Sequence, residues 1–169
     1  MKNNQDIFKN LDKNIGKKLS IGIAKSLWNP EITDKLYNGC IRTLIEYGVK
    51  KENIKTFEVG GSFELIYAGS YMQDQTINST ACLDAIILIG SIIKGETPHF
   101  EFISQSIING AKDLNIKKDA PPIILSVSTD LNQEQALDRA GGKFGNKGSD
   151  GALTALHLIS QQYKLFYSF

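Results

Sequence analysis

Apolar residues recur along the chain in two periods. Runs rich in β-branched residues at 20–27, 54–59, 84–93 and 123–127 read as strands. The third, DAIILIGSII, is apolar at consecutive positions rather than at alternate ones. That pattern suits a strand covered on both faces in a parallel sheet, and the run is too short to span a membrane. Between the strands the spacing shifts to the helical period. Asn29, Pro30 and Glu31 supply a cap, a first-turn proline and a first-turn acid. Ile32, Leu36, Cys40 and Leu44, flanked by Tyr37, Ile41 and Ile45, then form one wide apolar face that Gly48 terminates. Gly60-Gly61 predicts a tight turn into a helix from Ser62 that aligns Phe63, Tyr67 and Tyr71, and the polar segment 73–80 predicts a loop. Thr97 as cap and Pro98 as first helical residue predict a helix opening near His99, with Ile103, Ile107, Ala111 and Leu114 on one face and Pro121-Pro122 as its stop. Asp130 and Gln133 resemble a capping box for a helix to about Ala140. A glycine- and lysine-rich break at 141–148 precedes a last helix expected to bury Ala152, Leu156, Ile159 and Tyr163.

Strand and helix alternate four times, which predicts an α/β fold: a parallel sheet with helices on both faces. Ligands of such folds bind outside the carboxyl ends of the strands. Those ends carry Leu27-Trp28-Asn29, Gly60-Gly61-Ser62-Phe63-Glu64 and the stretch 91–99. In the last of these Gly95 permits an unusual backbone angle, and the helix start offers free N–H groups to an anion. His99, one of two histidines, lies beside it and can carry protons near neutral pH. Residues 1–17 are rich in Asn and Lys, with Ile7, Phe8, Leu11 and Ile15 scattered among them. They read as an arm that folds against something else, preceding one domain at 18–169.

Composition narrows the function class. With 41% hydrophobic and 22% charged residues in 169, the chain is neither disordered nor membrane-spanning. A net charge of +1 provides no general attraction to nucleic acid or anionic lipid. Cys40 and Cys82 form neither a disulfide framework nor a metal-ligand spacing, so no metal is expected and a reducing, cytoplasmic setting fits. The opening residues MKNNQDIFKN lack the apolar core of a signal peptide.

Each candidate has a plainer use. Trp28 could stack on a planar ring, or fill a core or an interface. Glu64 sits where a helix dipole favours any carboxylate. Arg139 and Lys147 could clamp a phosphate or be solvated charges. His157 lies within the last helix with no evident partner. The glycine-rich break lacks the spacing of a phosphate loop, and a helix rather than a strand precedes it.

Four motifs in order, WNPEIT at 28–33, GSFEL at 61–65, GETPHF at 95–100 and QALDRAGGKFGNKG at 135–148, give the chain from about residue 19 to 165 a resemblance to the lumazine synthases. The resemblance implies a three-layer α/β/α flavodoxin-like sandwich with a four-stranded parallel sheet, the N-terminal arm adding to a neighbouring subunit. It implies condensation of 5-amino-6-(D-ribitylamino)uracil with 3,4-dihydroxy-2-butanone 4-phosphate, the penultimate step of riboflavin biosynthesis, without a cofactor. His99 matches the proton-transfer histidine and Trp28 the ring that stacks on the pyrimidine. Ser62, Phe63 and Glu64 match the turn that holds the ribityl chain. Ser91, Ile92 and Ile93 match the backbone that reads the uracil edge. Gly95, Glu96 and Thr97 match the anion seat, and Arg139, with Lys147 in support, the phosphate-binding cation contributed by a neighbour. Leu125 falls where the family has a phenylalanine that reaches the neighbour's pyrimidine. Homopentamers are implied, with sixty-subunit shells as a further assembly and riboflavin synthase as a further partner.

The sequence departs from the family pattern at Gly60, where proline is usual, at Leu27, where arginine often precedes the aromatic, and at Leu125. Gly60 and Leu125 leave open a flavin- or lumazine-binding carrier or shell protein that keeps the pocket without the catalysis. His99, Thr97 and Arg139 weigh against it, since a carrier needs no phosphate seat. An unrelated flavodoxin-like electron carrier would need a phosphate loop after the first strand, and Leu27-Trp28-Asn29-Pro30 is not one.

Overall fold

Four strands, β1 (Ile21–Ser26), β2 (Ile54–Val59), β3 (Ala85–Ile93) and β4 (Ile123–Asp130), form an all-parallel sheet in the order β2-β1-β3-β4. This is a computed structural model that describes residues 7–78 and 82–167. Helices α1 (Pro30–Glu46) and α5 (Lys147–Tyr167) cover one face, and α2 (Leu65–Ile77) and α3 (His99–Asn115) the other. A short α4 (Gln133–Arg139) leads into a hairpin of β5 (Ala140–Gly142) and β6 (Gly145–Asn146). The arrangement is the three-layer α/β/α sandwich of the flavodoxin-like type.

Consecutive apolar residues in β3 feed both layers. Ile87 and Ile89 join the α1–α5 cluster, while Ile86, Leu88 and Ile92 join the α2–α3 cluster. Side chains of a strand alternate between faces, so only a run without polar interruption can satisfy two cores. Close approach of α1 and α5 rests on small residues. A Cβ at Gly148 would stand 1.9 Å from the Leu36 carbonyl oxygen, and one at Gly39 would stand 2.3 Å from Asn146 Oδ1. Asn146 secures the same junction: its Nδ2 donates to the Lys35 carbonyl at 2.9 Å, and its Oδ1 accepts the Ser149 N–H at 3.0 Å, capping α5.

Several local expectations are corrected. The helix after β2 begins at Leu65 rather than Ser62, because the Glu64 carboxylate accepts the Gly61 N–H at 3.0 Å and holds 61–64 as a turn. It then continues through most of the polar segment 73–80, to Ile77; Ser79 and Thr80 lie outside the described residues. Gln73 there is fully buried and donates to the Leu114 and Pro121 carbonyls, so a tertiary partner overrides its polarity. Thr97 does not cap α3, and Pro98 is its N-cap residue rather than its first helical residue. Gly95 has no positive φ. The helix stops at Asn115, ahead of Pro121-Pro122. Asn132, not Asp130, caps α4, accepting from the Gln135 N–H at 2.9 Å while Gln135 Oε1 accepts from the Leu131 N–H at 3.0 Å. Tyr163 is 49% exposed, since α5 runs on past Ile159, its last residue in the core cluster.

The described part of the arm contains no strand. Phe8, Leu11 and Ile15 pack on the α1–α5 cluster of their own chain, and Phe8 meets the His157 ring edge-on. That contact gives His157 a packing role.

Gly148→Ala should force α1 and α5 apart, since the clashing atom is backbone and cannot rotate away. The expected cost is about 3 kcal/mol, read as a lowered urea midpoint. A midpoint equal to the parent protein's would contradict the close approach.

Candidate functional site

The carboxyl ends of β1, β2 and β3 open on a cleft of about 540 Å³. It is lined by Trp28 and Asn29 after β1, Gly61 to Glu64 after β2, and Ser91, Ile92, Ile93, Gly95, Thr97 and His99 after β3. Phe100 and Ile103 of α3 complete the wall. Trp28 is 69% exposed and Phe63 54%, large apolar rings with a free face at the rim. That exposure excludes a core role for Trp28, the first half of its plainer reading, and leaves stacking on a ring or packing at an interface. Behind the lining, the hydroxyls of Ser62 and Ser91 are buried and have no protein partner.

Backbone also contributes. The last β1–β3 pair is Lys25↔Ile89, whereas β3 remains paired with β4 to Ile93↔Asp130. The end of β3 therefore has a strand along one side only. At the start of α3 no side chain caps the helix, so its first N–H groups are open to a bound anion. The Glu101 carboxylate accepts from its own backbone N–H and pairs with Lys94 at 3.2 Å across that loop, and these two contacts, in that order, draw it below the ordinary carboxylate range.

Four residues expected at the site lie outside this cleft. Glu96 is exposed on the loop beside it. Leu125, midway along β4, packs half-buried against the α2–α3 cluster. Arg139 donates to the Phe144 carbonyl at 2.6 Å and to Asp150 Oδ2 at 3.0 Å. Lys147, at the head of α5, lies close enough to feel its charge. Burial first, and then the neighbouring Arg139 guanidinium, hold the Lys147 ammonium below its usual titration range, with Asp150 and Asp130 opposing. One chain thus presents a cleft with a histidine and aromatic rims, and separately a pair of crowded cations.

Sequence reasoning placed Asn29 and Gly61 at the ligand-binding strand ends without giving them a role, and missed Phe100 and Ile103 as lining residues. Asn29 and Gly61 lie within or beside the quoted motifs, and Ile103 follows His99 by one helical turn, which was the available signal. Among the described residues no helix is long and apolar enough to cross a membrane, and no group of His, Cys, Asp or Glu could hold a metal ion.

Comparison with known proteins identifies the family. The sequence model of the 6,7-dimethyl-8-ribityllumazine synthase family matches residues 18–162. A protein of that name from Christiangramia forsetii is 46% identical over 150 residues, covering 87% of this chain and 86% of the relative. Its namesake from Flavobacterium johnsoniae is 43% identical, covering 94% and 83%, and that from Bacteroides fragilis 43%, covering 87% and 99%.

The depressed Lys147 has a testable sign. Its folded pKa lies below the unfolded value of 10.5, so the folded state holds fewer protons between the two. The resulting penalty is full below the folded pKa and is relieved as pH rises to 10.5. Lys147→Met should therefore be more stable than the parent protein at neutral pH, by a margin that shrinks as pH rises. Urea unfolding across that range would show a constant margin if Lys147 titrated normally.

Proposed function

The chain belongs to the 6,7-dimethyl-8-ribityllumazine synthase family, and we infer that the cleft over β1, β2 and β3 is where it joins its two substrates. It condenses 5-amino-6-(D-ribitylamino)uracil with 3,4-dihydroxy-2-butanone 4-phosphate. The products are 6,7-dimethyl-8-(D-ribityl)lumazine, phosphate and water, the penultimate step of riboflavin biosynthesis. The observation that carries the assignment of the site is the convergence of His99, Trp28, the 61–64 turn and the one-sided end of β3 on a single cleft.

The chemistry asks little of the protein. The ring amine is already nucleophilic, and its attack on the ketone followed by loss of water gives an imine. Elimination of phosphate then leaves an enol that tautomerises to a new carbonyl, and closure of the ribityl-bearing amine on that carbonyl, with loss of a second water, completes the ring. Substrates and products balance without an external electron donor or acceptor. Holding both molecules in register supplies much of the acceleration. Trp28 stacks on the pyrimidine, and Ser62, Phe63 and Glu64 hold the ribityl chain, the carboxylate accepting from its hydroxyls. Ser91, Ile92 and Ile93 read the uracil edge through their backbone. His99 moves the protons of phosphate elimination. Gly95, Glu96 and Thr97 seat the phosphate at the α3 N-terminus, where open N–H groups and the helix dipole favour negative charge.

Arg139 and Lys147 lie outside their own chain's cleft, which supports a site completed by a neighbouring copy, in a homopentamer. Leu125 would face the neighbour's pyrimidine in the same assembly. The outer edge of β2, where the sheet ends, supports a strand added by a neighbour's N-terminal arm. The uninterrupted GGKFGNKG segment supports assembly of pentamers into a sixty-subunit shell. A cytoplasmic setting, with riboflavin synthase as the partner that takes the product, completes this reading.

His99→Ala should slow turnover by about a hundredfold at most without abolishing it, because positioning survives. Arg139→Ala should instead raise the KM for the butanone phosphate by roughly tenfold or more, through loss of a charge-assisted contact. Steady-state kinetics following lumazine formation above the spontaneous background distinguish the two effects. The opposite split would overturn these roles.

A further inference from the structure

Asn29 stands at the N-cap of α1 but does not act as one. Its side chain caps nothing; the N–H groups of Ile32 and Thr33 bond to its main-chain carbonyl, at 2.9 and 3.0 Å, and Thr33 Oγ1 donates to the same oxygen at 3.2 Å. The first turn is thus satisfied by main chain, and the side-chain amide is free for other work. Its backbone lies in the left-handed region, with φ 58° and ψ 58°. Asparagine tolerates that region better than most residues. The conformation turns the amide toward β3, where Nδ2 donates to the Ser91 carbonyl at 3.3 Å.

The position of that carbonyl is what gives the bond meaning. Residues along a parallel strand direct their backbone groups to opposite neighbours in turn. The N–H groups of Ile86 and Lys94 bond toward β4, at Pro122 and Asp130. Ser91 and Ile93, of the other parity, therefore face the side where β1 has ended. The Asn29 amide occupies the first open place on that edge and leaves Ile93 uncovered. Directly before it, Trp28 is exposed and has little core packing to fix its ring; its N–H bonds to Ser26 Oγ at 3.2 Å. The ring and the β3 edge line the same cleft, and the turn is the principal support of the ring.

We propose that Asn29 is a positioning residue for the pyrimidine, joining the turn that carries Trp28 to the open edge of β3 so that ring and edge meet a planar heterocycle at fixed separation. The inference rests on reading the cleft as the pyrimidine site. Two substitutions separate the tether from the backbone. Asn29→Gly keeps the left-handed turn and deletes the amide. Asn29→Asp keeps the shape but sets a carboxylate oxygen against the Ser91 carbonyl.

Trp28 is the only tryptophan in the chain, so its fluorescence reports on the site directly. Titration of the assembled enzyme with a non-reacting 5-nitro analogue of the ribitylaminouracil should show roughly tenfold weaker binding in both variants, with reduced quenching. The KM for the pyrimidine should rise in parallel, while that for the butanone phosphate stays within about twofold. Binding and quenching equal to the parent enzyme would overturn the proposal. So would a matched rise in both KM values accompanied by a lowered unfolding midpoint, the mark of a merely structural residue. Failure of the unsubstituted enzyme to bind the analogue would remove the pyrimidine site itself, and this is seen before any variant is made.

Discussion

β3 is buried on both faces, and its hydrogen bonds are shared between β1 and β4 until β1 ends at Ser26. Beyond that point its backbone has a partner on one side only, and the missing strand becomes the floor of the cleft. The loops that follow β1, β2 and β3 must all emerge at this end, because parallel strands share one direction. The aromatic rims, the 61–64 turn and His99 converge there for a topological reason. Unpaired backbone in a water-accessible cleft is tolerable to the fold and selective toward a flat ligand with donors and acceptors along one edge.

Charge is arranged differently. The cleft contains Glu64 and His99 but neither of the cations expected to meet a phosphate. Arg139 is held by the Phe144 carbonyl and Asp150, in a geometry set by the β5–β6 hairpin, and Lys147 is crowded beside it. Two like charges kept close and partly dehydrated raise the free energy of the unliganded chain. An arriving anion would relieve that repulsion. The glycine-rich segment has a mechanical role here. Gly141 and Gly145, at φ 117° and 78°, allow the reversal between α4 and α5 that other residues would resist.

Legibility in the sequence followed the range of the forces involved. The strand at 84–93 and the helix opening at His99 could be read because their signals are local: a continuous β-branched run, and a proline with few helical competitors. Gly61 reads correctly as turn, but residues 62–64 read as helix because the decisive bond, from the Gly61 N–H to Glu64, depends on a side-chain rotamer. The helical course of the residues after Gln73 was missed because the N–H groups of its side-chain amide are satisfied by carbonyls of Leu114 and Pro121, far away in the chain. Asn29 looked like a cap since asparagine commonly is one, and its actual partner, Ser91, is 62 positions away.

The sequence by itself determined the alternation of strand and helix, the depth of β3 in the core and the family to which the chain belongs, because periodicity and contiguous motifs are written in neighbouring residues. Which of the motif residues share one cavity was decided only by the tertiary structure. Trp28, Glu64 and His99 meet because parallel strands end together, while Arg139 and Lys147 are carried by the hairpin to another place. Distances between segments follow from packing and loop closure, which no local spacing encodes.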